Sequence, residues 1–194
     1  AVLNGEVEWG VTVLQASEVY DAGTIWAWRT FVCRPYATKA SLYRLEVTQA
    51  AVSATLEALD RFVPGSLQPR DAPVLPLRLG QWRPLVTSQQ RAIDWGACTS
   101  ADVLRLVRSA DGFPGVKATI FDQSCRLYDA HPATVSALAR VAPGRPGTVA
   151  ARRGAALLLY TLDGGVWIGH VRREPGPDGS NGLKLPAIRA FSLE

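Results

Sequence analysis

The chain has 194 residues, 47% hydrophobic, 20% charged and 8% aromatic, a balance that excludes disorder and collagen-like repetition and supports a buried core. No apolar run approaches the roughly 20 residues of a membrane-spanning helix and the N-terminus lacks a signal-peptide layout, so a cytoplasmic location without membrane contact is expected. The net charge of +4 rests on 21 basic residues of which only Lys39, Lys117 and Lys184 are lysine, a bias toward the guanidinium fork that pairs bidentately with phosphate.

Methionine is absent and the chain opens on Ala1-Val2-Leu3, so the sequence reads as a piece of a longer protein. Cys33, Cys98 and Cys125 are odd in number and widely spaced, which argues against a disulfide framework. With no CxxC pair to join His131 and His170, no metal site is expected.

Residues 9–15 and 24–32 are rich in β-branched and aromatic types and predict two strands. On the second, Trp26 and Trp28 alternate and are expected to share one face, while Trp9 and Trp95 are taken as packing residues. Between the strands, Ala16 to Gly23 is too long for a tight hairpin and ends on a glycine, which opens backbone conformations closed to other residues. From 41 to 63, Leu42, Leu45, Val52, Leu56, Leu59 and Val63 recur at three- and four-residue steps, the pattern of an amphipathic helix burying that stripe. Pro64-Gly65 stops it, and five of the 13 prolines fall within 64–84, marking an extended connector.

Thr99 and Asp102 form a T-x-x-D start for a second helix, with Val103, Leu106, Val107 and Ala110 on one face. Beyond 115 the pattern changes to short strands at 116–121, 125–129, 147–151, 155–161, 165–171 and 183–191, with hairpin turns at Arg153-Gly154 and Asp163-Gly164. Such spacing without intervening helices suggests an OB-like β-barrel, and the Gly/Pro-rich tract 174–182 is read as a surface loop. The division is 1–63, a connector at 64–90, and 91–194.

Few residues offer chemistry. His131 and His170 read as hydrogen-bonded structural or surface histidines, and the chain contains no Walker loop, GxGxxG or HExxH. Asp21 is the candidate that the residues themselves supply. It leaves a strand beside Tyr20, Ala22 and Gly23, so that a ligand could approach the backbone against a partly desolvated carboxylate. Aspartate is also a favourite turn starter, and that alternative stands beside the catalytic one.

The run from Trp9 to Trp26, with its Gly10-Val-Thr-Val13 strand and Asp21-Ala-Gly23 loop, resembles the second half of the 10-formyltetrahydrofolate-dependent formyltransferase domain. Ile93-Asp-Trp95, the helix 100–110 and Gly112-Phe-Pro-Gly115 are similar to the linker and C-terminal barrel of methionyl-tRNA formyltransferase. Five short stretches in order (Arg91 to Trp95, Arg108 to Gly115, Leu127 to Pro132, Val166 to His170 and Leu183 to Ala187) resemble the HypX/HoxX hydrogenase-maturation family more specifically. The fold class implied is α/β: the C-terminal part of a Rossmann-like formyltransferase domain followed by an OB-like β-barrel.

The resemblance implies passage of a formyl group from 10-formyltetrahydrofolate to coenzyme A, the formyl-CoA being decarbonylated by an enoyl-CoA hydratase-like half of the same parent chain. The end product is the carbon monoxide ligand of [NiFe]-hydrogenase, which makes other hydrogenase-maturation proteins candidate partners. It gives Asp21 the catalytic role of orienting a histidine, and Ser17, Glu18, Val19, Tyr20, Ala22 and Gly23 the binding of the pterin edge. Arg91 becomes a candidate contact for the coenzyme or the connector. Arg152-Arg153 and Arg172-Arg173 become candidate phosphate contacts.

The Asn-x-His pair of such enzymes does not occur in these 194 residues, so the chain by itself is expected to be inactive. An exposed apolar face is expected as well. Two alternatives remain open: a methionyl-tRNA or amino-sugar formyltransferase fragment, and a non-catalytic module binding RNA or protein.

Overall fold

Alternation of β-branched and aromatic residues produces the first hairpin in the computed structural model, which describes residues 1–71, 73–74, 83–175 and 182–193. Strand β1 (Glu8–Leu14) pairs antiparallel with β2 (Ile25–Val32) from Glu8↔Val32 to Val13↔Ala27. The register then slips to Leu14↔Ile25 and leaves Trp26 as the extra residue of a β-bulge. The bulge corrects the expected alternation: Trp26 and its neighbour Ala27 are both buried, in one cluster with Ala54 and Ala58, and Trp28 is not part of it.

The helical segment starts where Thr38 and Ser41 form a capping box, at α1 (Lys39–Leu42). It continues through a π-helical turn (Tyr43–Val47) into α2 (Thr48–Asp60). Its buried side is not the leucine and valine stripe. Leu42, Ala50, Ala54 and Ala58 are buried, whereas Leu45, Val52, Leu56 and Leu59 are exposed. Alanine on the inner face lets the helix backbone come close to β1 and β2, and a two-stranded sheet covers only one side of it. Trp9 is also more than a third exposed rather than packed.

The chain divides between Leu85 and Val86 into two compact units. The expected connector 64–90 falls partly outside the described residues, as does most of the tract 174–182.

The second unit opens with a 3-10 turn (Gln89–Arg91) and α3 (Ser100–Ser109). As expected, Thr99 and Asp102 make a reciprocal capping box at its start. Strands β3 (Val116–Ile120), β4 (Gln123–Pro132), β5 (Val149–Arg153), β6 (Ala156–Tyr160), β7 (Gly165–Arg173) and β8 (Lys184–Pro186) form one antiparallel sheet in the order β3-β4-β7-β6-β5, with β8 added to β7. The inward residues Val116, Leu127, Leu157, Leu159, Val166, Ile168 and Val171 pack with Val103, Leu104 and Val107 of α3. Each such side chain contributes roughly 1.5–3 kcal/mol on burial.

A short helix, α4 (Val135–Leu138), is capped by the Thr134 hydroxyl, which accepts from the Ala137 amide. The expected last strand, 183–191, is cut short. Pro186 ends β8 and α5 (Ala187–Ala190) follows, turning Ala187 and Ala190 into the core.

Candidate functional site

The loop that carries most candidate residues is built from its base upward. The Gln15 amide donates to the Thr24 carbonyl at 2.8 Å, closing the mouth of 16–23. At Gly23 a Cβ would lie 1.8 Å from the Gln15 carbonyl oxygen, so this position admits only glycine without a backbone shift. The Gln15 side chain then accepts from the Trp26 indole N–H at 3.1 Å. The Trp26 carbonyl accepts from Arg61 at 2.7 Å, and Glu57 ion-pairs with both Arg61 and Arg29. The root of the loop is thereby tied to the C-terminal end of α2.

Above this base, residues 16–22 are all exposed. The Ser17 hydroxyl donates to the Val19 carbonyl at 2.7 Å, and Tyr20 is 97% exposed. Asp21 sits at φ 58°, the left-handed region that aspartate enters more readily than most residues. Asp21 is exposed, not partly desolvated as expected from its neighbours. The structure therefore gathers Ser17, Glu18, Val19, Tyr20, Asp21, Ala22 and Gly23 on one pinned loop. Arg91 ends the 3-10 turn of the second unit, and its amide donates to the Ser88 carbonyl at 3.3 Å.

A second polar constellation, in the second unit, could not be found from spacing alone. Asp129 of β4 holds two imidazoles: its Oδ1 is 2.8 Å from His131 Nε2 and its Oδ2 3.1 Å from His170 Nδ1. Asp129 lies at φ 58° within the strand, opposite Gly169, where a Cβ would meet Oδ2 at 2.2 Å. Burial pushes its carboxyl pKa up, but the hydrogen bonds from the two histidines outweigh this and hold it below the ordinary carboxylate value. Both histidines are thus hydrogen-bonded residues of the strand surface, as read from the sequence. Among the described residues no group of three histidine, cysteine or acidic side chains is arranged to hold a metal ion.

Two of the cysteines are held as thiols. Burial pushes the Cys125 thiol up to about 12, and burial likewise raises Cys33. Of the paired arginines, Arg152 bonds the Leu193 carbonyl and Arg172 approaches that of Pro114 at 3.4 Å. No described helix is long and apolar enough to cross a membrane.

Comparison with known proteins places these features. Residues 85–178 match the formyl transferase C-terminal domain. The hydrogenase maturation factor HoxX of Bradyrhizobium diazoefficiens is 43% identical over 198 residues, covering 100% of this chain and 32% of HoxX. A methionyl-tRNA formyltransferase of Parafrankia sp. is 31% identical, covering 99% of this chain and 60% of that protein. Crystal structures of HypX from Aquifex aeolicus superpose with similar quality. One, in complex with tetrahydrofolic acid, has a TM-score of 0.80 at 38% identity and covers 98% of this chain and 31% of HypX. The chain spans about a third of the length of these HoxX and HypX proteins. Over its full length the chain is similar to the formyltransferase-like part of HypX/HoxX proteins, and residues 85–178 carry the match to the formyl transferase C-terminal domain.

Proposed function

We propose that this chain is the part of a HypX/HoxX-type enzyme that carries the folate loop and the C-terminal formyltransferase domain. The enzyme moves a formyl group from 10-formyltetrahydrofolate to coenzyme A, toward the carbon monoxide ligand of [NiFe]-hydrogenase. The observation that carries this reading is the pinned loop 15–24, whose exposed backbone and Asp21 rise from a base fixed by Gly23, Gln15 and Trp26. The tetrahydrofolate complex of the similar HypX structure supports a folate substrate.

The residues present fit that substrate. A pterin edge is an array of amide-like donors and acceptors, and exposed peptide groups of Ser17 to Ala22 can pair with it while the anchored base keeps them in position. The Asp21 carboxylate accepts a hydrogen bond from a histidine supplied by the parent enzyme and offsets the positive charge that the imidazole gains as the formyl carbon becomes tetrahedral. A fixed negative charge at that point lowers the barrier, because it stabilises the transition state more than the ground state.

The second unit is an OB-like barrel in this reading. Strand β7 is shared between β4 on one edge and β6 followed by β8 on the other, the kind of strand sharing by which a small sheet curls. A methionyl-tRNA formyltransferase reading has the weaker support, 31% identity against 43%.

Acceptor choice is the test. The full-length enzyme containing this segment, supplied with 10-formyltetrahydrofolate and either coenzyme A or initiator methionyl-tRNA, is expected to give formyl-CoA by mass spectrometry, or the carbon monoxide released from it, and no formylated tRNA. Formylated tRNA with neither formyl-CoA nor carbon monoxide overturns the reading.

A further inference from the structure

We propose that Lys117, Arg126, Arg172 and Lys184 form a binding strip for a linear run of phosphate groups, a site independent of the formyl-transfer reading. The strand register puts them in one row: Lys117 is opposite Arg126, Arg126 opposite Arg172, and Arg172 opposite Lys184. Their sequence neighbours Val116, Cys125, Leu127, Val171 and Leu185 pack in the core, so by the two-residue period of a strand all four cations project from the other face. Four adjacent strands span about 14 Å at about 4.8 Å per step.

Such a row works against folding, because like charges directly opposite on neighbouring strands repel. Its compensation within the second unit is partial. Glu174 pairs with Arg126 at 2.6 Å, the one carboxylate that ion-pairs with any of the four cations among the described residues. The two guanidiniums converge on a single carbonyl, that of Pro114, at 3.4 Å each, and the Tyr128 hydroxyl donates to the same oxygen at 2.9 Å. Lys184 Nζ lies 4.6 Å from the centre of the Tyr128 ring, over its face. The central arginines are therefore oriented side by side and held there, while Lys117 and Lys184 are exposed at the two ends.

Preorganised guanidinium forks flanked by lysines suit closely spaced phosphates, which bridge neighbouring cations and relieve their repulsion. The required chemistry is a row of phosphates, carried either by inorganic polyphosphate or by the phosphodiester backbone of a nucleic acid. A ligand that binds only the folded sheet also stabilises it.

The test titrates the 194-residue chain with inorganic tripolyphosphate and, separately, with a fluorescein-labelled ten-nucleotide thymidine oligomer, at about 50 and 200 mM salt. Saturable binding of at least one probe with a raised Tm is expected, and the probe that binds identifies the source of the phosphates. The double variant Lys117→Gln/Lys184→Gln is expected to bind at least tenfold more weakly with a salt slope reduced by about two. The exposed single variant Lys117→Gln, which leaves the Tyr128 contact intact, is expected to show about half of that reduction in slope. Removing equal charge elsewhere, at the exposed pair Arg140→Gln/Arg145→Gln, is expected to leave binding unchanged. Equal losses in the two double variants, or no binding of either probe at the lower salt, overturn the proposal.

Discussion

Gly23 packs its backbone so tightly against Gln15 that a Cβ on residue 23 would sit 1.8 Å from the Gln15 carbonyl oxygen. The strand-to-strand loop owes its closed base to this contact. Gly23→Ala is expected to cost about 1–3 kcal/mol as the strand ends separate. Gln15→Ala, which removes only the acceptor of the Trp26 indole, is expected to cost about 1 kcal/mol. Denaturant unfolding of the chain checks both, and equal costs would show that the close approach is not what fixes the loop.

Acid is expected to remove the contribution of Asp129. A carboxyl whose folded pKa lies below its unfolded value adds stability above that unfolded value, near ~4, and loses it as pH falls through the folded one. The stability gap between the wild type and Asp129→Asn is therefore expected to be complete at about pH 5 and to close below about pH 4. With 44% of the Asp129 side chain exposed, solvent screening keeps the gap at about 1 kcal/mol or less. Gly169→Ala, whose methyl displaces Oδ2 from His170, is expected to reduce the same pH-dependent gap, and its effect should not add to that of Asp129→Asn. Unfolding midpoints measured from pH 3 to 7 test this.

The capping box of α3 gives a local test of helix initiation. Thr99 accepts from the Asp102 amide at 3.2 Å, and Asp102 Oδ2 accepts from the Thr99 amide at 3.1 Å and from its hydroxyl at 2.6 Å. Those bonds, the hydroxyl first, hold the Asp102 carboxyl below its ordinary range. Thr99→Ala is expected to destabilise the second unit by about 1 kcal/mol and to move the Asp102 titration upward, as followed by carboxyl NMR.

Two substitutions on α2 are expected to separate its two faces. Ala54→Leu, on the face against β2, is expected to destabilise the first unit by about 1–3 kcal/mol. Leu56→Lys, on the exposed face, is expected to leave stability within about 0.5 kcal/mol while lowering apolar dye binding and self-association. A wild-type chain that is monomeric and binds no dye would contradict the exposed apolar face.

The contrast on α2 shows what the sequence makes legible. Large apolar side chains at helical spacing announce a helix, yet which stripe is buried depends on what packs against it, and here alanine is buried because the hairpin approaches closely. Both strands of that hairpin, the Thr99 start of α3 and the turns at Gly154 and Asp163 follow from local chemistry and are found where the pattern puts them. The turn at Phe121-Asp122 carries no glycine although both residues take positive φ, and it ends β3 at Ile120, one residue earlier than the pattern puts it. Asp129 was hidden, because its partner His170 lies 41 residues away and only the strand register unites them. Asp21 could be singled out by its setting, but its left-handed backbone and its exposure are properties of the folded loop.

The role of Asp21 is tested most directly in the full-length enzyme that contains this segment, by single-turnover formyl transfer from 10-formyltetrahydrofolate with Asp21→Asn against the wild type. The amide keeps the size of the side chain but loses the charge that supports a protonated histidine, so the rate is expected to fall by roughly 10²–10⁴-fold while tetrahydrofolate binding stays within a few-fold. Retention of most of the transfer rate by Asp21→Asn, with folate bound normally, would contradict the assignment of this loop to catalysis.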